Sequence, residues 1–343
     1  MLMLKENFLA WTRAHEWGAE VEVSQQLANG GKVEVWDSGV IVFTPAGKPT
    51  RDLVLSCAVH GDETAPIEIC DALIEALKQG QLTPQARVMF LIANPAAINN
   101  GTRFVEENMN RLFSGAHSKG PGLVNKERVR AEALEGYMER FFATSPPSRE
   151  RIHYDMHTAI RDSAHEKFVV YPYQNERPYS KRQLQLLKAM GVPVVLLNDG
   201  PTTTFSYYSV NQFNAHGFTV ELGKVKPFGQ NDMQRFAAAQ STLTALICEA
   251  DPELDRFEHD DFMIYQVLRS INRTAEDFEL NFPDNVANFT EFPLGAVIAR
   301  DGETEYRVET EGESVIFPNA KVALGQRALL TVVAIPAESL ELV

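Results

Sequence analysis

Between residues 52 and 250, apolar runs of strand length alternate with segments of helical period, and that order confines the chain to an α/β domain on a largely parallel or mixed sheet. Residues 52–59 are nearly all apolar and suit a buried central strand. Ala65-Pro66 then opens a helix, since proline is tolerated in a first helical turn, and Ile67, Cys70, Ile74 and Leu77 fall on one face of it. Residues 88–93 read as the next strand, closed by the turn signal Asn94-Pro95. Helical spacing returns over 127–142, with Leu134, Met138 and Phe141 aligned, and 151–157 reads as a further strand. A turn, helix and strand follow over 168–197. The strand 218–222 then precedes a long helix, capped by Asn231 or Asp232 and running to about residue 249.

Past Asp251-Pro252 the character changes to strands, at 296–300, 306–308 and 314–317, with Asp301-Gly302 as a hairpin turn. The expected organisation is an α/β domain over 1–250 and a small β-rich domain over 251–343. A chain of 343 residues, 44% hydrophobic, has ample material for both.

Several function classes are excluded before any motif is considered. The net charge is -14, from 32 basic against 46 acidic residues, and no basic run stands out, so nucleic acid and anionic membrane surfaces are poor partners. No stretch approaches the roughly 18 apolar residues of a membrane span. The first residues, Met-Leu-Met-Leu-Lys-Glu-Asn, lack the basic start and apolar stretch of a secretory leader, and a cytoplasmic protein is expected. Cys57, Cys70 and Cys248 have no close pairing, which argues against a disulfide framework or a cysteine zinc cluster. An anionic substrate would need a local group of arginines working against the global charge. Homo-oligomer formation is left open.

Three segments carry chemistry. In Val59-His60-Gly61-Asp62-Glu63-Thr64 a histidine follows a buried strand and a carboxylate stands three residues later at a helix start. A second imidazole would complete the three-ligand set of a catalytic zinc site, which keeps a fourth position for water. His157, at the end of another expected strand, is the natural candidate, because ligand sites gather where strands of an open α/β sheet end. His15, His117, His153, His165, His216 and His259 lie in no comparable setting. Arg103 and Arg111, with Asn110 between them, offer planar forks for a carboxylate, although they could equally be surface residues paired with Glu106 and Glu107. Glu221 interrupts the apolar run 218–222. It either faces solvent from an edge strand or is a buried carboxylate that needs a partner.

Taken together, His-Gly-Asp-Glu-Thr-Ala-Pro at 60–66, Asn-Arg-Leu-Phe at 110–113, Asp-Met-His-Thr-Ala-Ile-Arg at 155–161 and Glu-Leu-Gly-Lys at 221–224 resemble the succinylglutamate desuccinylase and aspartoacylase branch of the zinc carboxypeptidase superfamily. The segment Pro-Phe-Gly-Gln-Asn-Asp at 227–232 is similar to the desuccinylase side of that branch. The resemblance implies a carboxypeptidase-like mixed sheet flanked by helices, with the small β-rich domain near the mouth of the site. It implies one zinc per chain on His60, Glu63 and His157, Glu221 as general base, and Arg103, Asn110 and Arg111 on the substrate. The implied reaction is hydrolysis of N-succinyl-L-glutamate to succinate and L-glutamate, the last step of the succinyl-transfer route of arginine breakdown. Asn108 departs from the pattern, standing where relatives commonly carry aspartate, which puts one supporting contact in doubt.

Two rival readings share these residues. One is an aspartoacylase-like deacylase or a carboxypeptidase for another small acyl amino acid, and the other is a metal-free binding module of the same fold. Arg161 is a further cation near His157, and Asp155 shares a strand face with His157 at period two, where it can orient a ligand imidazole.

Overall fold

The computed structural model describes residues 6–19 and 22–343. Its strands are β1 (Val23–Gln26), β2 (Lys32–Asp37), β3 (Val40–Thr44), β4 (Arg51–Cys57), β5 (Arg87–Ile92), β6 (Glu150–Ala159), β7 (Phe168–Tyr171), β8 (Val194–Leu197) and β9 (His216–Lys224). After them come β10 (Met263–Asn272), β11 (Glu279–Leu280), β12 (Thr290–Glu291), β13 (Val297–Asp301), β14 (Thr304–Arg307), β15 (Ser314–Ile316) and β16 (Arg327–Ile335). The helices are α1 (Phe8–Ala14), α2 (Thr64–Lys78), α3 (Pro95–Asn100), α4 (Lys126–Ala143), α5 (Lys181–Ala189), α6 (Phe205–Phe213) and α7 (Ala237–Cys248).

The α/β architecture expected from the alternation is present, on a mixed sheet of order β1-β2-β3-β5-β4-β6-β9-β7-β8-β10-β16-β15-β12. Its centre is parallel: β4 pairs with β5 on one side and β6 on the other, and β6 pairs with β9. The side chains of β4 alternate between two cores, as a period of two requires. Leu53 and Leu55 join Ile67, Cys70, Ile74 and Leu77 of α2 on one face, while Val54 meets Leu134, Met138 and Phe141 of α4 on the other. Because the chain leaves β4 to build β5 on one flank and later β6 on the other, the ends of β4 and β6 border the crevice where such sheets bind ligands.

Two local readings change. Asn94-Pro95 starts a helix rather than a bare turn: Pro95 fills the first position, where its missing N–H costs nothing, and the Asn94 side chain accepts from Ala97 N at 3.2 Å. Asp232 caps only a short 3-10 turn, and α7 proper starts at Ala237.

The strand-rich part past residue 250 does not detach from the main sheet. The apolar face of β10 continues the ladder, with Met263–Gln266 parallel to Val194–Leu197 of β8, and β16 and β15 follow antiparallel. An otherwise open edge at β8 is thereby closed. A separate small antiparallel sheet, β11-β13-β14, packs against β10, β15 and β16, and Gly302 supplies the positive φ of its hairpin turn. Among the described residues no helix is long and apolar enough to cross a membrane.

One buried carboxylate on α4 fixes the loop that carries Arg103, Asn108 and Asn110. Glu127 Oε1 accepts from Asn94 Nδ2 (2.8 Å) and Val105 N (2.7 Å), and its Oε2 accepts from Glu106 N (2.7 Å) and Glu107 N (2.6 Å). Glu127→Gln would turn an amide NH₂ toward these donors and leave part-buried backbone N–H groups without their acceptor. A loss of about 1–3 kcal/mol in denaturant unfolding is expected, and an unchanged midpoint would refute this role.

Candidate active site

Ends of central strands deliver four of the candidate side chains: His60 and Glu63 follow β4, His157 lies near the end of β6 and Glu221 in β9, while Arg103, Asn110 and Arg111 come from the loop after α3. At the end of β4, Ala58 takes a left-handed backbone conformation, φ +58°, which a residue with a Cβ adopts at a cost of about 1–2 kcal/mol. Two residues on stands His60. Gly61 then passes so close to α3 that a Cβ there would lie 2.1 Å from the carbonyl carbon of Ala97, so only glycine fits. Glu63 follows at the start of α2.

Both oxygens of the Glu63 carboxylate are engaged. Oε1 lies 2.9 Å from His60 Nδ1 and accepts from Arg103 at 2.7 Å, and Oε2 meets His157 Nδ1 at 2.9 Å and the amide of Thr158 at 3.1 Å. The contact with His60 is short but poorly aligned, and His60 Nδ1 is left buried without a hydrogen bond. One ligand atom from each of His60, Glu63 and His157 lies within 4.8 Å of the other two, so these three residues could hold a metal ion.

The tautomer of His60 suits that role. Asn108 Oδ1 accepts from the Asn110 amide at 3.1 Å, which fixes the orientation of its side chain, and therefore the His60 Nε2 that lies 2.9 Å away carries the proton. The Nδ1 lone pair of His60 then points at the group. On the other imidazole, Nε2 meets Asp155 Oδ2 at 2.9 Å, as period two along β6 anticipates. Asp155 is held in turn by Ser56 (2.6 Å), and Ser56 by His153 (2.7 Å).

Electrostatics separate the two histidines. Burial, aided by the positive charge of Arg103, lowers His60 to about 4, so it stays neutral. His157 is equally buried, but the carboxylates of Asp155 and Glu63 override that effect and hold it well above its ordinary value. Glu63, despite burial, is held well below the usual carboxylate range by the two imidazoles.

Glu221 lies directly across from His157 in the β6–β9 ladder, and β9 is an interior strand, paired on its other side with β7. The edge-strand alternative is therefore removed. The carboxyl is buried, with Oε2 lacking a partner among the described residues. Burial pushes its pKa up to about 7, against the pull of His157.

These groups open onto a cavity of about 610 Å³ that Arg103, Asn110 and Arg111 also line. Asn110 Oδ1 accepts from Phe205 N at the start of α6 (3.2 Å), which anchors the loop. All seven residues singled out from the sequence thus border one space. Arg161 borders it as well but is occupied: its guanidinium donates to the carbonyls of Asp284, Val286 (3.1 Å) and Pro318 (2.8 Å), tying the strand-rich part to β6. A further part of the cavity wall, including Asn288, Phe317, Asn319 and Arg327, comes from residues 284–330. No periodicity or motif marks Arg327, and the sequence reading missed it.

Residues 49–247 match the family described as Succinylglutamate desuccinylase/Aspartoacylase catalytic domain, and residues 260–335 match the AstE/AspA barrel-sandwich hybrid domain. The chain is 58% identical to a succinylglutamate desuccinylase of Idiomarina loihiensis, over 98% of each chain, and 53% identical to one of Shewanella pealeana, over 96% of each. A solved succinylglutamate desuccinylase of Vibrio parahaemolyticus superposes with a TM-score of 0.88 at 35% identity, covering 97% of this chain and 96% of that one.

Chelator-treated protein is expected to take up one zinc per chain, and His157→Ala should lose most of that uptake. Asp155→Asn, which removes only the support of an imidazole, should weaken affinity by about 10–100-fold. Undiminished binding in His157→Ala would refute the assignment of these ligands.

Proposed function

The chain belongs to the succinylglutamate desuccinylase and aspartoacylase family, and from that premise we propose that it hydrolyses N-succinyl-L-glutamate to succinate and L-glutamate with one zinc per chain. The observation that carries the reading is a buried carboxylate, Glu221, unpartnered at one oxygen and in register with His157 beside three convergent metal-ligand atoms. The orphaned nitrogen and fixed tautomer of His60, and the Asp155 carboxylate behind the His157 imidazole, support the fit of a zinc ion to this donor set. When bound, zinc supplies Lewis acidity toward the amide carbonyl and acidifies the attacking water.

The protein's own groups supply the rest. Glu221 accepts the proton of the attacking water and returns it to the leaving amine, a task for which a carboxyl raised toward neutrality is suited. Arg103, already aligned on Glu63, stands beside the reacting carbonyl, while Arg111 and the amide of Asn110 take substrate oxygens. The substrate carries three carboxylates, which accounts for arginines directed into a cavity of an acidic protein. Breakdown of a cytoplasmic metabolite agrees with three free cysteines. An aspartoacylase-like activity is the second reading, and turnover of N-succinylglutamate against N-acetylaspartate separates the two: equal or reversed preference would overturn the substrate assignment.

Glu221→Gln keeps the size of the side chain but cannot accept a proton. Zinc content should be retained while kcat falls by about 10²- to 10⁴-fold; zinc lost along with activity would make Glu221 a ligand or support instead. In the parent, activity should fall as pH drops, because a protonated Glu221 is no base. The midpoint of kcat/KM should lie at or below about 7, since a bound cation can only lower the carboxyl from the value set by burial. A midpoint of the acid limb at about pH 8 or above would contradict this assignment.

A further inference from the structure

Arg327 opens β16 and lines the same cavity as the metal-ligand group. Among the described residues its guanidinium makes no hydrogen bond and no ion pair, whereas every other arginine makes at least one. It rests above the ring of Phe317, 6.0 Å from the centroid, and Asp199, the acid whose field reaches it, stands beyond ion-pair distance. Arg111 shares the cavity and donates only to the carbonyl of its own neighbour, Asn110, at 3.0 Å.

In a chain of net charge -14, two guanidinium groups that face one cavity, neither of them ion-paired with a carboxylate among the described residues, are an unfavourable arrangement unless an anion joins them. Burial, with Arg327 and Arg103 as like charges, brings Arg111 down to about 9, and burial lowers Arg327 also. The platform under Arg327 is fixed and not incidental. Phe317 holds a left-handed backbone conformation, φ +54°, and its amide donates to Asn288 Oδ1 at 2.9 Å. The next residue, Pro318, is clamped by Arg161, four positions after His157. Strain of this kind persists where surrounding contacts impose it, and here they hold Arg327 facing the cavity.

We propose that Arg327 and Arg111 form a carboxylate subsite, so that residues of the strand-rich wall select an acyl amino acid by a carboxylate remote from the scissile amide. The proposal rests on the reading of the substrate given above, and it makes Arg327 a specificity-determining residue rather than part of the proton-transfer machinery. A guanidinium can present two parallel N–H donors to such a group, and two guanidinium groups can embrace it from opposite sides.

The test compares parent, Arg327→Met and Arg327→Lys on N-succinylglutamate and on three analogues that each lack one carboxylate: N-acetylglutamate, N-succinyl-2-aminobutyrate and N-succinyl-4-aminobutyrate. Arg327→Met should lower kcat/KM on N-succinylglutamate at least 10-fold, mainly through KM, with zinc content unchanged. That loss should shrink to within about 2-fold on the one analogue missing the carboxylate that Arg327 holds, and Arg327→Lys should recover part of it. No loss, or the same loss on all four compounds, would overturn the proposal. Calorimetric titration of metal-free protein with succinate and glutarate keeps the two questions apart. If the parent fails on N-succinylglutamate, the substrate reading falls, yet at least 5-fold weaker binding of either dicarboxylate by Arg327→Met still supports the subsite, and equal binding of both refutes it.

Discussion

The buried carboxylate of Glu63 sets conditions that the surrounding residues satisfy. A charged group withdrawn from water is tolerated only when its oxygens find strong donors or a cation, and four groups from three segments converge on this one: His60, Arg103, His157 and the Thr158 amide. Convergence on one point requires β4 and β6 to be neighbours with their ends aligned, which the parallel register from Arg51↔Glu150 to Ser56↔Asp155 provides. The left-handed turn at Ala58 and the close passage of Gly61 beside α3 are local consequences of bringing His60 and Glu63 to the same place.

The two imidazoles look alike in sequence and differ in what stands behind them. His157 is backed by an anion, Asp155, which is itself steadied by Ser56 and a neutral His153, lowered to about 4 by burial. His60 is backed by a neutral amide, Asn108. An anionic partner raises the basicity of a ligand imidazole more than a neutral carbonyl does, so the two nitrogens offered to a metal are unequal donors. The departure at Asn108 noted in the sequence therefore acts at the imidazole of His60.

What could be read in the sequence followed from how locally each feature is encoded. Of the elements between β4 and α7, β4, α2, β5, α4, β6, α5, β8 and β9 were legible because buried strands and amphipathic helices declare themselves in their own residues, whereas α3 and β7 read in sequence as turns; His60, Glu63 and His157 stood out because they lie at or just past the ends of such strands. Glu221 was legible as an anomaly, a charge inside an apolar run, but whether β9 was an edge or an interior strand is a property of pairing. The ladder of β1–β3 and the helix α6 went unread, as did the continuation of the sheet through β10, since each is completed by partners distant in sequence. Arg161 illustrates the limit: its position near His157 made it a substrate candidate, and only the carbonyls of residues 284–318 reveal that it is a clamp. Arg327 had no local signature at all.

Net charge and cavity charge have opposite signs in this protein, and the connectivity explains how both can hold. An exposed acidic surface limits nonspecific association with other anions, while a few arginines kept from pairing with that surface retain their attraction for a small anion that can enter. Keeping them unpaired is a structural task, because an arginine with a free choice finds a carboxylate, as Arg128 finds Glu107 and Arg269 finds Glu313. Here Arg111 is restrained by the loop that Glu127 anchors, and Arg327 by the wall that Arg161 clamps. A metal-ligand group alone would serve many amides. The placement of these cations relative to it is what can make one acyl amino acid fit better than another.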